Sequence, residues 1–323
     1  MLNLRGINFG NVLLASGAAN FFKQRPWWFR RIVELIPGAN DDGATHTSKT
    51  SVLLSREGNM ELKKDLQPKK WFPKCIRIYW WQRFVMNAVG LSGPGFEALL
   101  EDGLWQQMVK PFWISIMAIE GTLEDRLKEI RVMALLLRIN KHKFMAHSGI
   151  ELNGSCPNTE HCPLSLADGL IRQGEEVRVA GVPSIVKINV LTPFETISRI
   201  IRSGVFDALL FSNTIKFGQL PEWIPWDKLF KSGKSPLAEF GGGAYSGWHA
   251  IFAVARLLRR IEEAGLRIPI VAGNGILYPH DVDFLAKASP NNLKAISYGS
   301  LRLLRPWNEK RVIRRANELL GSR

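Results

Sequence analysis

Residues 184–189 read Ser184-Ile185-Val186-Lys187-Ile188-Asn189, and residues 207–214 read Asp207-Ala208-Leu209-Leu210-Phe211-Ser212-Asn213-Thr214. Between them, 193–203 carries apolar residues at three- and four-residue spacing. Short apolar runs rich in Ile, Val and Leu are what strands buried on both faces look like, and a helical period between two of them predicts a strand–helix–strand crossover. The polar residues collect at the C-terminal ends of both runs. That is where a parallel α/β sheet carries its chemistry.

The pattern extends outward in both directions. Further strands are predicted at 12–15, 45–49, 112–119, 145–153, 268–272 and 294–298, making eight with the first two. Helices are predicted at 96–109, 123–138, 165–178, 247–264 and 280–287, with a closing helix over 308–320. Thr122 with Asp125 three residues on marks the start of the second of these. Eight strands alternating with helices predict a (β/α)8 TIM barrel. A doubly wound sheet is the alternative, but Gly17-Ala18-Ala19 after the first strand lacks its glycine fingerprint. The stretch 58–86, rich in Lys, Pro and Trp, fits an excursion inserted into the barrel. With no solenoid-period repeat and no linker, 1–323 is expected to form a single domain.

Composition bounds the function. The chain has 323 residues, 46% hydrophobic and 22% charged, which excludes a disordered or collagen-like polymer. Three cysteines make no disulfide framework and point to a reducing compartment. No signal peptide or membrane-length apolar run is visible, so a cytoplasmic location is expected. Lys+Arg 43 against Asp+Glu 29 gives +14, suited to nucleic acid, an anionic membrane or small anions. The basic residues are scattered, without the long arm of a nucleic-acid binder, and no nucleic-acid partner is expected. The pairs Trp27-Trp28 and Trp80-Trp81 read either as partly buried core or as an exposed patch for a partner or membrane.

The candidate site residues follow from strand position. The fourth strand runs into Asn153-Gly154-Ser155-Cys156-Pro157-Asn158, a thiol between two amides on a proline-fixed turn. Asn153 and Asn158 can each donate and accept, as a planar ligand with imide and carbonyl groups requires. Cys156 reads as a proton acceptor or as a buried structural thiol. Lys187 inside an apolar run needs an anion or an electron-rich ring beside it. Gly273-Asn274-Gly275 and Gly299-Ser300 close strands seven and eight, where backbone N–H groups hold a phosphate, with Gly241-Gly242-Gly243 upstream. A phosphorylated cofactor is the expectation. His161 and Cys162 lack a second ligand pair, so no metal site is expected.

These segments carry a family resemblance. Asn87-Ala88-Val89-Gly90-Leu91, Glu151-Leu152-Asn153-Gly154-Ser155-Cys156-Pro157-Asn158 and Arg56-Glu57-Gly58-Asn59 resemble the signature segments of dihydroorotate dehydrogenases. Ala15-Ser16-Gly17, Ser48-Lys49-Thr50, Val186-Lys187 and Ser212-Asn213-Thr214 stand in the matching order, and the likeness spans about residues 8–305. Cysteine rather than serine at position 156 is similar to the soluble class 1 branch. The resemblance implies an FMN enzyme oxidising dihydroorotate to orotate, with Cys156 as base. It implies Lys49, Asn87, Asn153, Asn158 and Asn213 on the substrate. Ala15, Ser16, Gly17, Lys49, Lys187, Gly243, Gly273, Gly275, Gly299 and Ser300 would lie on the flavin. It further implies a homodimer, with an iron–sulfur flavoprotein subunit as one route for the electrons. Three features depart from the family: Asn274 in place of a third glycine, the loop Thr159-Glu160-His161-Cys162-Pro163, and the long basic tract 60–86. Two other functions compete. A tRNA dihydrouridine synthase also pairs flavin with cysteine, but only about 20 residues follow Ser300 where that family has a helical RNA-binding domain. A degenerate barrel could instead serve as a docking module, and would then lack a working flavin site.

Overall fold

A computed structural model describes residues 1–22, 35–70, 73–154 and 163–321, with the backbone alone of Pro163 and Leu164. The chain opens with β1 (Asn3–Leu4), β2 (Ile7–Asn8) and β3 (Val12–Leu14), followed by β4 (Ile76–Tyr79), β5 (Phe84–Asn87) and α1 (Phe96–Glu101). Then come β6 (Phe112–Ile116), α2 (Leu123–Asn140), β7 (Ser148–Asn153), α3 (Pro163–Arg178), β8 (Ser184–Ile188), α4 (Phe194–Ser203) and β9 (Ala208–Phe211). The rest is β10 (Ile215–Lys216), α5 (Trp226–Leu229), β11 (Ala244–Gly247), α6 (Ala250–Glu263), β12 (Ile270–Gly273), α7 (Pro279–Ala288), β13 (Leu293–Tyr298), α8 (Leu301–Leu304) and α9 (Glu309–Leu320).

Seven strands form one parallel sheet in the order β3-β13-β12-β9-β8-β7-β6. The gap between β3 and β6 is closed by 45–51, which bridges Leu13 through Thr45, Trp113 through Thr47 and Ile116 through Ser51, all parallel. Thr45 N–H donates to Val12 O at 2.8 Å and Ser48 N–H to Trp113 O at 2.9 Å. This segment is the predicted second strand, present as an irregular eighth stave of a curled α/β barrel. The sheet strands are almost wholly buried, because helices cover their outer faces and side chains fill the inside. Leu13, Trp113, Ile185, Leu210, Val271 and Ala295 pack at the N-terminal end, where Leu2, Leu4 and Phe9 of the opening hairpin plug the barrel. At the start of α2, Thr122 Oγ1 accepts Asp125 N–H at 3.1 Å, a cap worth about 1 kcal/mol.

Several boundaries differ from expectation for local reasons. The helix predicted over 96–109 stops at Glu101, because Gly103 turns into the left-handed region at φ 79°. The strand predicted from 145 begins at Ser148, after a short turn of 3-10 helix at Lys141–Lys143. The excursion is a second sheet. Its hairpin β4–β5 joins β11 and β10 in an antiparallel sheet of order β10-β11-β5-β4, with Asn87 opposite Ala244. A separate aromatic core of Phe84, Tyr245, Trp226 and Phe230 underlies it. Of the tryptophan pairs, Trp80-Trp81 is exposed at the hairpin tip and Trp27-Trp28 lies outside the described residues.

Candidate active site

A cavity of about 950 Å³ opens at the C-terminal end of the barrel strands, large enough for a cofactor and a small substrate together. Each stave sends residues into it: Ala15 after β3, Lys49 and Thr50 from the irregular stave, and Met117 after β6. The later strands contribute Asn153, Lys187, Ser212-Asn213, Gly273 and Ser297. The antiparallel sheet walls one side with Ile76, Val85, Asn87 and Ser246. Among the described lining residues are six cations, Lys49, Arg56, Lys63, Lys70, Lys187 and Arg302, and no carboxylate. Such a cavity concentrates anions.

Two of the cations are buried, each 7% exposed. Lys187 Nζ donates to Ser16 Oγ at 2.9 Å and stands 3.7 Å from Glu151 Oε1. Glu151, 1% exposed just behind the lining, also accepts Ser115 Oγ–H at 2.8 Å, and Ser115 Oγ lies 2.9 Å from Thr50 Oγ1. Lys49 has no carboxylate partner among its described contacts. Its Nζ donates to Ser92 O and lies 5.2 Å from the centre of the Phe21 ring. Burial pulls its ammonium down to about 8, with the negative charge of an ionised Cys75 acting in the opposite sense. An anion entering the cavity would supply the missing counter-charge.

The amides form a connected row. Asn213 Nδ2 donates to Asn153 Oδ1 at 2.7 Å, and Asn274 Nδ2 donates to Asn213 O at 3.2 Å. Asn87 Nδ2 reaches Ala244 O at 3.4 Å, the long end of a hydrogen bond, so the group can turn to a ligand. At the far end the backbone is bare: a Cβ on Gly273 would lie 2.5 Å from Ser297 O, so no side chain fits between β12 and β13 at their mouth. Asn274 itself takes φ 70°, a conformation asparagine tolerates.

No protein-family model matches the chain. A dihydroorotate dehydrogenase B (NAD(+)) catalytic subunit of Listeria monocytogenes is 29% identical over 231 residues, 69% of this chain and 68% of the relative. The corresponding subunit of Enterococcus faecalis is 28% identical over 69% of this chain and 67% of its own length. A Solibacter usitatus protein, provisionally assigned as a dihydroorotate dehydrogenase A (fumarate), is 28% identical over 76% of this chain and 80% of the relative. Over these stretches the chain is similar to dihydroorotate dehydrogenases of the class 1 type, at 28–29% identity.

Of the residues expected from the family pattern, Ala15, Ser16, Gly17, Lys49, Asn87, Asn153, Lys187, Asn213, Gly273, Gly275, Gly299 and Ser300 all line the one cavity. Cys156 and Asn158 lie outside the described residues, as do His161 and Cys162. Gly243 is not in the lining. It packs against Leu237 and Asn87 O at the start of β11, where a Cβ would come within 2.7 Å of Leu237. It precedes Ala244, which pairs with Asn87 across β11 and β5. Glu151, Ser115 and Arg302 were not expected. Glu151 is signalled by a charge between Ile150 and Leu152 in a buried strand, whereas nothing local singles out the other two.

Proposed function

We propose that this chain is a flavin-dependent dihydroorotate dehydrogenase. The observation that carries this reading is the carboxylate-free cavity that gathers Lys49, Lys187 and the Asn153–Asn213 pair at the barrel mouth. Its residues fit FMN: the narrow Gly273 and Gly299 mouths leave backbone free to approach a phosphate, and Ala15, Ser16 and Gly17 give a small-residue wall for a flat ring. Lys187 would face the ring, and Lys49 with Asn87, Asn153, Asn158 and Asn213 would hold the carboxylate and imide of dihydroorotate. Cys156, at the loop after β7, is assigned the C5 proton, its thiolate becoming a thiol as the C5–C6 double bond forms. When bound, FMN supplies the acceptor for the C6 hydride, and so takes both electrons. Glu151, 3.7 Å from the Lys187 ammonium, holds it in place, and Lys49 offers a cation whose counter-ion is the substrate.

The test is anaerobic mixing of the yellow protein with dihydroorotate, followed by its visible absorbance. Bleaching is expected. Cys156→Ala should stay yellow and bleach about 10²- to 10⁴-fold more slowly, the usual worth of a general base. A protein that cannot be loaded with flavin, or a variant that bleaches at the parent rate, refutes the corresponding assignment. The relatives that are catalytic subunits of NAD-linked enzymes favour re-oxidation through a second subunit, and fumarate that restores the colour without one would argue for the other route.

A further inference from the structure

The tip of the β4–β5 hairpin carries a surface that the cavity does not account for. Trp81 is 91% exposed, Trp80 51%, Trp307 48% and Leu303 41%, an accumulation of apolar surface rare on a polar exterior. The pieces are tied together. Trp80 Nε1–H donates to Leu303 O at 2.8 Å, Arg305 Nη2 donates to Trp80 O at 3.3 Å, and the Arg305 guanidinium lies 5.5 Å from the Trp307 ring centre. Every charge carried by 73–90 is basic, namely Lys74, Arg77 and Arg83. On the other side stand Arg302, Arg305, Lys310 and Arg311; of the acids there, Glu309 is 1% exposed and pairs with Arg302, as Asp41 does, and Asp42 beside Asp41 is exposed. Leu303 and Arg302 also line the cavity, so the patch borders its mouth.

We propose that this tip docks on an anionic lipid bilayer, Trp80 and Trp81 entering the interfacial layer while Arg77 and Arg305 meet the headgroups. Tryptophan is the side chain most at home in that layer, and arginine beside it keeps its stem apolar and its charge in the headgroups. A negative leaflet complements the basic residues that dominate this rim, Lys74, Arg77, Arg305, Lys310 and Arg311. A protein partner is a poorer fit: the exposed indoles offer roughly 400 Å², about half of what one side of a stable protein interface buries. A projecting tip also suits insertion better than flat packing. The chemistry recurs in the sequence at Arg25-Pro26-Trp27-Trp28-Phe29-Arg30-Arg31, outside the described residues and not needed for the patch. Docked in this way, the molecule would bring its cavity mouth against the lipid surface. The inference stands apart from the flavin assignment, since it uses no cofactor and no turnover.

The experiment is flotation of the full chain with vesicles of phosphatidylcholine alone and of phosphatidylcholine with phosphatidylglycerol. Binding is expected only to the anionic vesicles and should fall with added salt. Trp81→Ala should weaken it about tenfold through lost apolar burial. Arg77→Gln should weaken it about fivefold, the worth of one surface charge. Both residues are exposed, and circular dichroism checks that the variants remain folded. Absence of vesicle binding overturns the proposal, as does binding that Trp81→Ala leaves unchanged. If the parent sediments as an oligomer that Trp81→Ala dissociates, with no vesicle binding by either, the tip serves a second copy instead and the proposal falls.

Discussion

The Lys187–Glu151 pair offers the sharpest test of how the barrel mouth is built. At 3.7 Å and an effective dielectric of about 20, two unit charges attract by about 4.5 kcal/mol. Glu151→Gln keeps an acceptor for Ser115 and removes the charge, and Lys187→Met removes the ammonium with its length preserved. Each single change strands one buried ion, which should cost about 3–5 kcal/mol, whereas the double variant strands none. The coupling energy in a double-mutant cycle should therefore reach about 2–4 kcal/mol. The measurement is urea unfolding of the four proteins without flavin, with the slopes compared to confirm two-state behaviour. A coupling below about 0.5 kcal/mol, the value of an exposed ion pair, would refute the claim that Glu151 holds the Lys187 charge.

Lys49, held down to about 8 by burial, should make anion binding pH-dependent: orotate affinity is expected to fall as pH rises through about 8, and Lys49→Met should flatten the titration. The linked stability has the opposite sense. The folded state binds fewer protons than the unfolded one between about 8 and the ordinary lysine value of 10.5, so this group's contribution rises with pH across that window. Gly273→Ala places a methyl 2.5 Å from Ser297 O on the paired strand; a loss of about 1–3 kcal/mol in chemical denaturation is expected, along with weaker flavin retention. At Asn274, glycine accepts φ 70° but loses the bonds to Asn213 O and from Gly247 N–H, whereas alanine loses the bonds and strains the backbone. Stability should therefore run Asn, Gly, Ala, in steps of about 1 kcal/mol, and an alanine variant as stable as the glycine one would contradict the geometry.

The barrel was legible because its strands are continuous apolar runs. All eight predicted positions recur, with ends displaced where a turn or a 3-10 segment intervenes. The antiparallel sheet was not, because Ile215–Lys216 and Ala244–Gly247 are too short to show a period of two and find their partners only in space. The same limit governed the site. Lys187, Asn153 and Asn213 stand out as polar residues ending apolar runs, and they converge because parallel strands end on one side. Arg56, Lys63, Lys70 and Arg302 come from loops and a short helix, so only folding reveals that the cavity is ringed by cations. Gly243 shows the same limit: a glycine triplet suits a phosphate turn and a crowded strand start equally well, and its contact with Leu237 is visible only in the fold.

Asn274 shows how one departure from the family pattern can be absorbed. A glycine there would serve only to turn the chain toward a phosphate. The asparagine makes the same turn and spends its amide on two neighbours, accepting Gly247 N–H and donating to Asn213 O. Gly247 ends β11, the strand that positions Asn87, and Asn213 donates on to Asn153. The glycine end of the cavity and the amide end are thereby joined by side-chain bonds rather than only through the sheet. Both ends also line the same basic cavity, so an anion bound at either one would find the donors at the other already held by these bonds. Under the proposed function, that pre-organisation would serve an anionic substrate held against an anionic cofactor.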